Sequence, residues 1–339
     1  MSRLVTLCLV LCSLVACATV NPAPGRNGAA ADSAIAVGVA YSRGGRGDKS
    51  FNDSVGSAVD QAKAQLGVSV KELSPNSAGS DLEEVLRLLA ETGHNPVLAV
   101  GFFYAQPLTK IAPAFPHTQF VIIDDATVKL PNVTNVVFRE EQASYLVGVA
   151  AALKSRTGRI GFIGGVQTPP QQKFLAGYAA GARATNPKIQ LSSVFMSQPP
   201  DFSGFSAPDK AQEAARGMYD GGADVVYHAA GASGIGVFQA AKAAGKWAIG
   251  VDVDQRKTVD QGLSQVILTS ATKKLDVAVL RIIQEAVRGK TISGLREFGL
   301  KEDGVGYATS GGGLTDVEPR LEEIRKKIIS GGITVPVVP

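Results

Sequence analysis

Polar side chains follow several of the apolar, β-rich runs of this sequence, each at the point where the run ends. They belong to a glycine-rich loop at residues 42–52, to Asp124, to a second glycine-rich loop at residues 230–236, and to Asp252. Glycine lets a backbone approach a bound molecule closely, and carboxylates accept hydrogen bonds from its hydroxyl or amino groups. These residue types favour a binding cleft for a small polar molecule.

Both glycine-rich loops resemble nucleotide-binding motifs without completing them. The first ends Asp48-Lys49-Ser50, whereas a P-loop requires glycine before the lysine, and a carboxylate there repels phosphate. The second has its glycines spaced G-x-x-G-x-G instead of G-x-G-x-x-G, the dinucleotide pattern. We therefore expect no NTP or dinucleotide site, and the second loop predicts a tight turn onto a helix N-terminus.

The residues that usually perform catalysis are scarce. The histidines are His94, His117 and His228, and no two of them have the helical spacing of a metal site. No G-x-S-x-G nucleophile elbow occurs. We predict a protein that is not an enzyme and needs no metal or cofactor, and we expect His228, which follows a strand, to be structural.

The N-terminus is typical of an exported lipoprotein. Arg3 precedes an apolar run at residues 4–15, which is shorter than the roughly 20 apolar residues of a spanning helix. Residues 14–17 then read Leu-Val-Ala-Cys and resemble a bacterial lipobox, in which cleavage before Cys17 leaves its thiol to carry a lipid. The alternative is an ordinary secretory signal cut after residue 16. The lipobox predicts an anchor on the extracytoplasmic face of the cell membrane.

The composition limits which stabilising bonds, domains and partners the mature chain can have. Cys8 and Cys12 lie in the removed signal peptide at residues 1–16, so Cys17 has no partner for an internal disulfide and the protein must rely on its core. With 339 residues, 45% of them hydrophobic, it can build one large or two medium domains. A net charge of +4 without a basic cluster gives no indication of nucleic acid binding.

The elements that position the polar loops alternate between strand and helix. Residues 17–33 are rich in Pro, Gly, Ala and Asn and predict a flexible tether. A capping box of Ser80 and Glu83 predicts the start of a helix that runs to Glu91. Strands are predicted at residues 34–41, 68–73, 96–101, 119–124, 133–138, 159–163, 189–195, 224–228, 247–251 and 265–269.

Two such series of strand and helix predict an α/β protein with two doubly wound lobes and parallel sheets. Ligands of these sheets bind beyond the carboxyl ends of the strands, where the polar loops lie. We assign residues 34–138 and 271–295 to an N-terminal lobe, and residues 139–270 and 296–339 to a C-terminal lobe.

Several motifs, taken in chain order, resemble the basic membrane protein family of substrate-binding lipoproteins. They lie at residues 44–52, 121–124, 138–148, 161–165, 173–174, 225–231, 250–255 and 268–273. The resemblance covers nearly the whole mature chain. It implies the type I periplasmic-binding-protein fold with a ligand cleft at the hinge, a purine nucleoside as ligand, and an ABC permease with its ATPase as partners.

The resemblance also implies which residues contact the base. Phe51 matches the aromatic residue that stacks on it, although the sequence also allows a hydrophobic staple at the start of a helix. Asn52 matches a contact to the base edge, and Asp124 the carboxylate that accepts hydrogen bonds from the base. A second aromatic wall is expected from Tyr227 or from Phe174.

Further positions are implied for the sugar. Asp252 resembles the carboxylate that accepts hydrogen bonds from the ribose hydroxyls. Lys273 resembles the residue that donates hydrogen bonds to these hydroxyls, with Lys274 as the alternative. The Gly231 loop brings its backbone close to the sugar. The chain departs from the family at Ser42, where members commonly have aspartate; serine lacks the charge and the reach of aspartate, which bears on purine specificity.

Two other functions are compatible with the sequence. One is a two-lobed receptor for another small solute, such as a sugar. The other is a surface lipoprotein for signalling or adhesion that binds proteins and transports nothing. A nucleoside hydrolase is a third and weaker alternative.

Overall fold

The computed structural model describes residues 35–76 and 78–339. The predicted signal peptide, Cys17 and the tether lie outside the described residues. The strands are β1 (Ala36–Ala40), β2 (Ser69–Leu73), β3 (Val97–Val100), β4 (Phe120–Ile123), β5 (Val133–Phe138), β6 (Arg159–Val166), β7 (Gln190–Ser197), β8 (Val225–Ala229), β9 (Trp247–Asp252), β10 (Ile267–Lys273), β11 (Gly294–Phe298) and β12 (Val305–Tyr307). The α-helices are α1 (Phe51–Leu66), α2 (Leu82–Glu91), α3 (Ala105–Ile111), α4 (Glu140–Lys154), α5 (Pro169–Thr185), α6 (Pro208–Asp220), α7 (Gly234–Ala244), α8 (Gln261–Ser264), α9 (Leu275–Val287) and α10 (Glu318–Ile329).

The strands form two six-stranded sheets, one in each lobe. The first has the order β11-β5-β4-β3-β1-β2 and the second the order β12-β10-β9-β8-β6-β7. Neighbouring strands are parallel except β10 and β12, which are antiparallel. The predicted fold of two doubly wound α/β lobes is therefore confirmed.

The central strands follow from the apolar sequence. β3 reads VLAV and β4 reads FVII, and every residue of both is buried. Such uninterrupted apolar runs are typical of parallel strands covered by helices on both faces. All of the strands expected from the sequence are present, but β11 and β12 were not predicted, because they are short, lie at sheet edges and contain glycine or charged residues.

The chain crosses between the lobes after Phe138, after Lys273 and after Phe298. The last two crossings lie beyond the limits expected from the sequence, because β10 pairs with β12 as far as Lys273, and β11 pairs with β5 as far as Phe298. We therefore propose lobes made of residues 35–138 with 274–298, and of residues 139–273 with 299–339.

The capping box predicted at Ser80 is absent from the structure, and that prediction was wrong. Asp81 occupies the N-cap position of α2, and its side chain makes no hydrogen bond to the first turn of the helix. Asp81 instead accepts a hydrogen bond from the backbone N–H of Asn76, and Ser80 accepts one from the Asn76 side chain. These polar groups stabilise the preceding loop, so the helix begins at Leu82.

Helix α4 begins at the first crossing and is buried almost along its whole length. It packs closely on α5 through glycines. A Cβ atom added to Gly148 would lie 2.2 Å from the carbonyl oxygen of Tyr178, and one added to Gly181 would lie 2.0 Å from that of Tyr145. Glycine therefore sets the distance between α5 and α4, the helix that begins at the first crossing.

None of the helices in the described residues is long and apolar enough to span a membrane.

Replacing Gly181 by Ala should destabilise the protein, because the new methyl group would overlap the backbone of α4. Overpacking of this kind costs about 1–3 kcal/mol, and urea denaturation measures it. The matched control is Gly217→Ala in α6, where nothing lies within 4 Å of the added atom. That variant should be as stable as the wild type or slightly more stable. Equal effects of the two substitutions would contradict the close packing of α4 on α5.

Candidate ligand-binding site

A cavity of about 700 Å³ lies between the lobes, at the carboxyl ends of the strands of both sheets. All of the ligand-binding residues expected from the sequence except Tyr227 line it. They are Ser42, Phe51, Asn52, Asp124, Phe174, Gly231, Asp252 and Lys273. Residues far apart in the chain meet there because parallel strands end at the same edge of a sheet.

The start of α1 is organised by Asp48. Its carboxylate accepts hydrogen bonds from the backbone N–H groups of Ser50 at 3.0 Å, of Asn52 at 2.8 Å and of Asp53 at 3.1 Å. These are donors that a phosphate would use at a helix N-terminus. The aspartate that interrupts the P-loop motif thus serves as an internal anion, and it fixes Phe51 and Asn52 at the edge of the cavity.

Asn52 connects this helix to the first strand. It is almost fully buried, and its Oδ1 atom accepts a hydrogen bond from the backbone N–H of Ser42 at 3.1 Å. The amide NH₂ group is not used in this contact. Asn52 can therefore donate hydrogen bonds to a ligand while its oxygen holds the loop in place.

Asp124 and Asp252 occupy equivalent places in the two lobes, directly after β4 and at the end of β9. Both have left-handed backbone conformations, with φ of 68° and 64°. Non-glycine residues seldom adopt this conformation, and strain of this kind is common at binding sites. The Oδ2 atom of Asp252 accepts a hydrogen bond from the Ser50 hydroxyl, which belongs to the other lobe.

A buried cluster of charges surrounds Lys273. Its Nζ atom lies 2.6 Å from Oδ2 of Asp124 and 2.9 Å from Oε1 of Glu140, and all three side chains are more than nine-tenths buried. Lys173 adds a second cation, whose Nζ atom is 3.3 Å from Glu140 and donates to the carbonyl oxygen of Phe138 at 3.0 Å. The cluster connects Asp124 of the first lobe with Glu140, which follows the first crossing, and with Lys273, which precedes the second crossing.

Burial and charge act in opposite directions on Lys273. Burial lowers its pKa, but attraction to Asp124 and Glu140 outweighs this effect, so the pKa lies above its usual value and the side chain stays charged. Burial raises the pKa of Asp252 to about 6, although Lys273 and the Ser50 hydroxyl oppose the shift. Asp252 therefore titrates near neutral pH.

The expectation that Tyr227 forms an aromatic wall was wrong. Strand β8 continues to Ala229, so Tyr227 lies below the edge of the sheet and is fully buried. Its ring is 5.1 Å from that of Tyr178, and its hydroxyl is 3.2 Å from the Ser144 hydroxyl. Tyr227 belongs to the core, and Phe174 is the remaining candidate for the second wall.

His228 also lies outside the cavity lining. It is fully buried, its ring is 5.0 Å from that of Phe238, and burial lowers its pKa to about 4. The neutral ring packs over Gly234, where a Cβ atom would lie 1.9 Å from it. A structural role accounts for these contacts.

Aromatic rings of both lobes also line the cavity. Phe103 of the first lobe and Phe202 of the second have their ring centroids 4.7 Å apart in an edge-to-face arrangement. The Arg43 guanidinium lies 5.0 Å from the Phe103 ring and 5.1 Å from the Phe202 ring. These cation–π and aromatic contacts hold the lobes together across the cleft.

Several residues of the site were missed by the sequence reasoning. Glu140 was included in a family motif without a role, and only the tertiary structure brings it to Lys273. The aromatic residues lie in short 3₁₀ turns and loops with no periodic pattern, and position after a strand was the one available signal. The missed lining residues include Arg43, Phe102, Phe103, Thr168, Gln171, Phe202 and Phe205. Within the described ranges no group of three or more side chains has the arrangement of a metal site.

The chain is similar to proteins of known family and structure. Residues 35–338 match the family model Bmp, described as ABC transporter substrate-binding protein PnrA-like. The CD4+ T-cell-stimulating antigen of Listeria monocytogenes is 33% identical, covering 89% of this chain and 88% of its own. The ABC transporter nucleoside-binding protein BmpA of Lactococcus lactis is 31% identical, covering 86% of each chain.

A solved structure has the same architecture. The crystal structure of an ABC transporter system solute-binding protein from Aeropyrum pernix K1 superposes with a TM-score of 0.78 at 29% identity, covering 89% of this chain and 94% of the other. The coverage is large enough for the agreement to extend over both lobes.

Replacing Lys273 by Met should destabilise the protein strongly, because Asp124 would remain buried without a countercharge and Glu140 would keep only Lys173. Breaking a buried pair costs about 3–5 kcal/mol. The deficit should shrink as the pH falls, because burial raises the pKa of Asp124 and its protonation removes the uncompensated charge. Urea denaturation at neutral and acidic pH measures both effects.

Lys274→Met is the matched control for this experiment. Lys274 pairs with Asp303 at 2.6 Å, but both side chains are about one-third exposed or more. Exposed pairs contribute about 1 kcal/mol or less. A Lys273 variant that loses no more stability than the Lys274 variant would contradict the role of the buried cluster.

Proposed function

The chain belongs to the Bmp family of PnrA-like ABC transporter substrate-binding proteins, and we propose that it binds a nucleoside between its two lobes and delivers it to a membrane permease. One observation carries the proposal. A cavity of about 700 Å³ brings the aromatic ring of Phe51 together with two carboxylates whose side chains are buried, Asp124 and Asp252. This volume is within the range of small-molecule sites, and an aromatic surface beside hydrogen-bond acceptors suits a base joined to a sugar.

The polar groups match a base edge. The Oδ1 atom of Asp124 is buried and has no hydrogen-bond partner among the residues that the structure describes. A base N–H group would satisfy it, which removes the cost of a buried unsatisfied acceptor. Asn52 donates beside it through its amide. We assign stacking on the base to Phe51 and, on the opposite side, to Phe174.

Asp252 and Lys273 then serve the sugar. Asp252 accepts hydrogen bonds from ribose hydroxyls, for which a carboxylate is a strong acceptor. Lys273 has three N–H donors, and Asp124 and Glu140 use two of them. The third donor can reach a hydroxyl. Gly231, whose φ is 54°, lets the adjacent backbone approach the sugar.

The closed arrangement of the lobes is stabilised by hydrogen bonds that join them across the cleft. Ser50 donates to Asp252, and the side-chain amide of Gln255 donates to the carbonyl oxygen of Lys49 at 3.3 Å. A ligand that bonds to both lobes adds contacts that exist only in the closed form and thereby favours it. The closed form is the one we propose to dock on the permease.

The lipobox at Cys17 supplies the location for this function. Cys17 lies outside the described residues, and its lipidation remains part of the proposal. A lipid on this cysteine would hold the protein at the extracytoplasmic face of the membrane, close to its permease.

Isothermal titration calorimetry of the chain from Ala18 onward against nucleosides, free bases and sugars tests the ligand class. We expect binding of nucleosides, and chromatography should recover them unchanged, as a binding protein requires. Phe51→Ala should weaken binding about ten- to a hundredfold, because stacking and apolar burial are lost.

Phe115→Ala is the control, since Phe115 is partly buried and does not line the cavity. It should keep wild-type affinity. Binding of sugars without nucleosides, or release of free base, would exclude the proposed function.

Nucleoside affinity should fall in acid. Asp252 has a pKa of about 6, and it accepts hydrogen bonds from ribose most strongly when charged. Binding should therefore be about tenfold weaker at about pH 5 than at about pH 7. Asp252→Asn should bind more weakly at neutral pH and lose most of this dependence. An unchanged pH profile in that variant would assign the titration to another group.

A further inference from the structure

The N-terminus of helix α5 faces the cavity, and apart from Phe174 its residues have no assigned role. Thr168, Pro170, Gln171 and Phe174 all line the cavity there. Thr168 is the N-cap residue, and Pro169 and Pro170 are the first two residues of this 17-residue helix. Both prolines are compatible with these positions, where an N–H group has no partner within the helix.

Two polar side chains at this helix end are buried and unsatisfied. Thr168 is 4% exposed and Gln171 is 9% exposed. Neither Oγ1 of Thr168 nor Oε1 of Gln171 has a hydrogen-bond partner in residues 35–76 and 78–339. An unsatisfied buried polar group costs about 1–3 kcal/mol, so such atoms usually mark a missing partner.

Helix α5 itself does not provide a hydrogen-bond partner for the Thr168 hydroxyl. An N-cap threonine normally accepts a hydrogen bond from the N–H group of the second or third helical residue. Here the second residue, Pro170, has no N–H group, and the Thr168 side chain makes no capping bond to the third residue, Gln171. The hydroxyl is therefore available to a molecule in the cavity.

The order of the strands locates these atoms relative to the sugar site. Asp252 ends β9, Gly231 follows β8, and Thr168 follows β6, and these three strands are adjacent in that order. Neighbouring strands are about 4.8 Å apart, and β6 is two strands away from β9. The strand before Thr168 therefore lies about 10 Å from the strand that ends at Asp252. A single molecule of nucleoside size can reach both ends of this row.

We infer that Thr168 and Gln171 bind the ligand, through a neutral hydrogen-bonding group at the end of the ligand that points away from Asp252. A hydroxyl or an amide-like base edge fits, because the hydroxyl and amide side chains can both donate and accept. A phosphate fits less well, since two prolines remove N–H donors that helix N-termini offer to anions. The inference rests on the proposed nucleoside function.

Calorimetry with the tightest-binding nucleoside of the panel tests this inference. Thr168→Val and Gln171→Leu should each weaken binding about tenfold, which corresponds to one lost hydrogen bond. Thr168→Ser keeps the hydroxyl and should retain nearly full affinity. Gln172→Leu is the matched control, because this neighbouring glutamine does not line the cavity, and its affinity should equal that of the wild type.

Analogues that lack one hydroxyl or amino group then identify the ligand group. In Thr168→Val, removal of the partner group should cost no further affinity, whereas removal of any other group should cost as much as in the wild type. If both Thr168→Val and Gln171→Leu bind like the wild type while Asp252→Asn binds weakly, the inference is wrong and the nucleoside function stands. If the wild type binds no nucleoside, both fail. Should Thr168→Val not fold, Gln171→Leu decides alone.

Discussion

The buried ammonium group of Lys273 is the interaction on which the rest of the site depends. It lies at the end of β10, where the chain leaves the second lobe, and it is bonded to Asp124 of the first lobe and to Glu140 at another crossing. A buried cation without partners would be strongly unfavourable, so these bonds constrain both lobes at once. The arrangement that stabilises the crossings therefore also places the carboxylates that face the ligand.

Two other charged groups of the cleft, Arg46 and Asp48, are satisfied within the protein as well. Arg46 bonds to Asp60 at 2.8 Å and to Glu72 at 2.7 Å, and the N-terminus of α1 is occupied by the carboxylate of Asp48. The groups left for a ligand include hydrogen-bond acceptors, neutral hydroxyl and amide groups, one N–H donor of Lys273 and aromatic surfaces. This division explains why a cleft with cationic side chains in its lining suits an uncharged nucleoside in our proposal.

Sequence patterns predicted the fold well because buried parallel strands are uninterrupted apolar runs, and they predicted much of the cavity lining because polar residues after such strands share one edge. The sequence patterns failed where a strand is longer than its residues predict. Tyr227 was placed at the end of β8, but β8 continues to Ala229 and the ring is in the core. They could not reveal Glu140 or Thr168, since the role of each depends on contacts between segments distant in the chain.

A crystal structure of the protein with a bound nucleoside tests the central claim most directly. The account predicts the base against Phe51 with a base N–H group on Oδ1 of Asp124, the ribose hydroxyls on Asp252, and Lys273 still bonded to Asp124 and Glu140. A nucleoside bound outside the cleft, or a Lys273 side chain that leaves both carboxylates when the ligand binds, would contradict it.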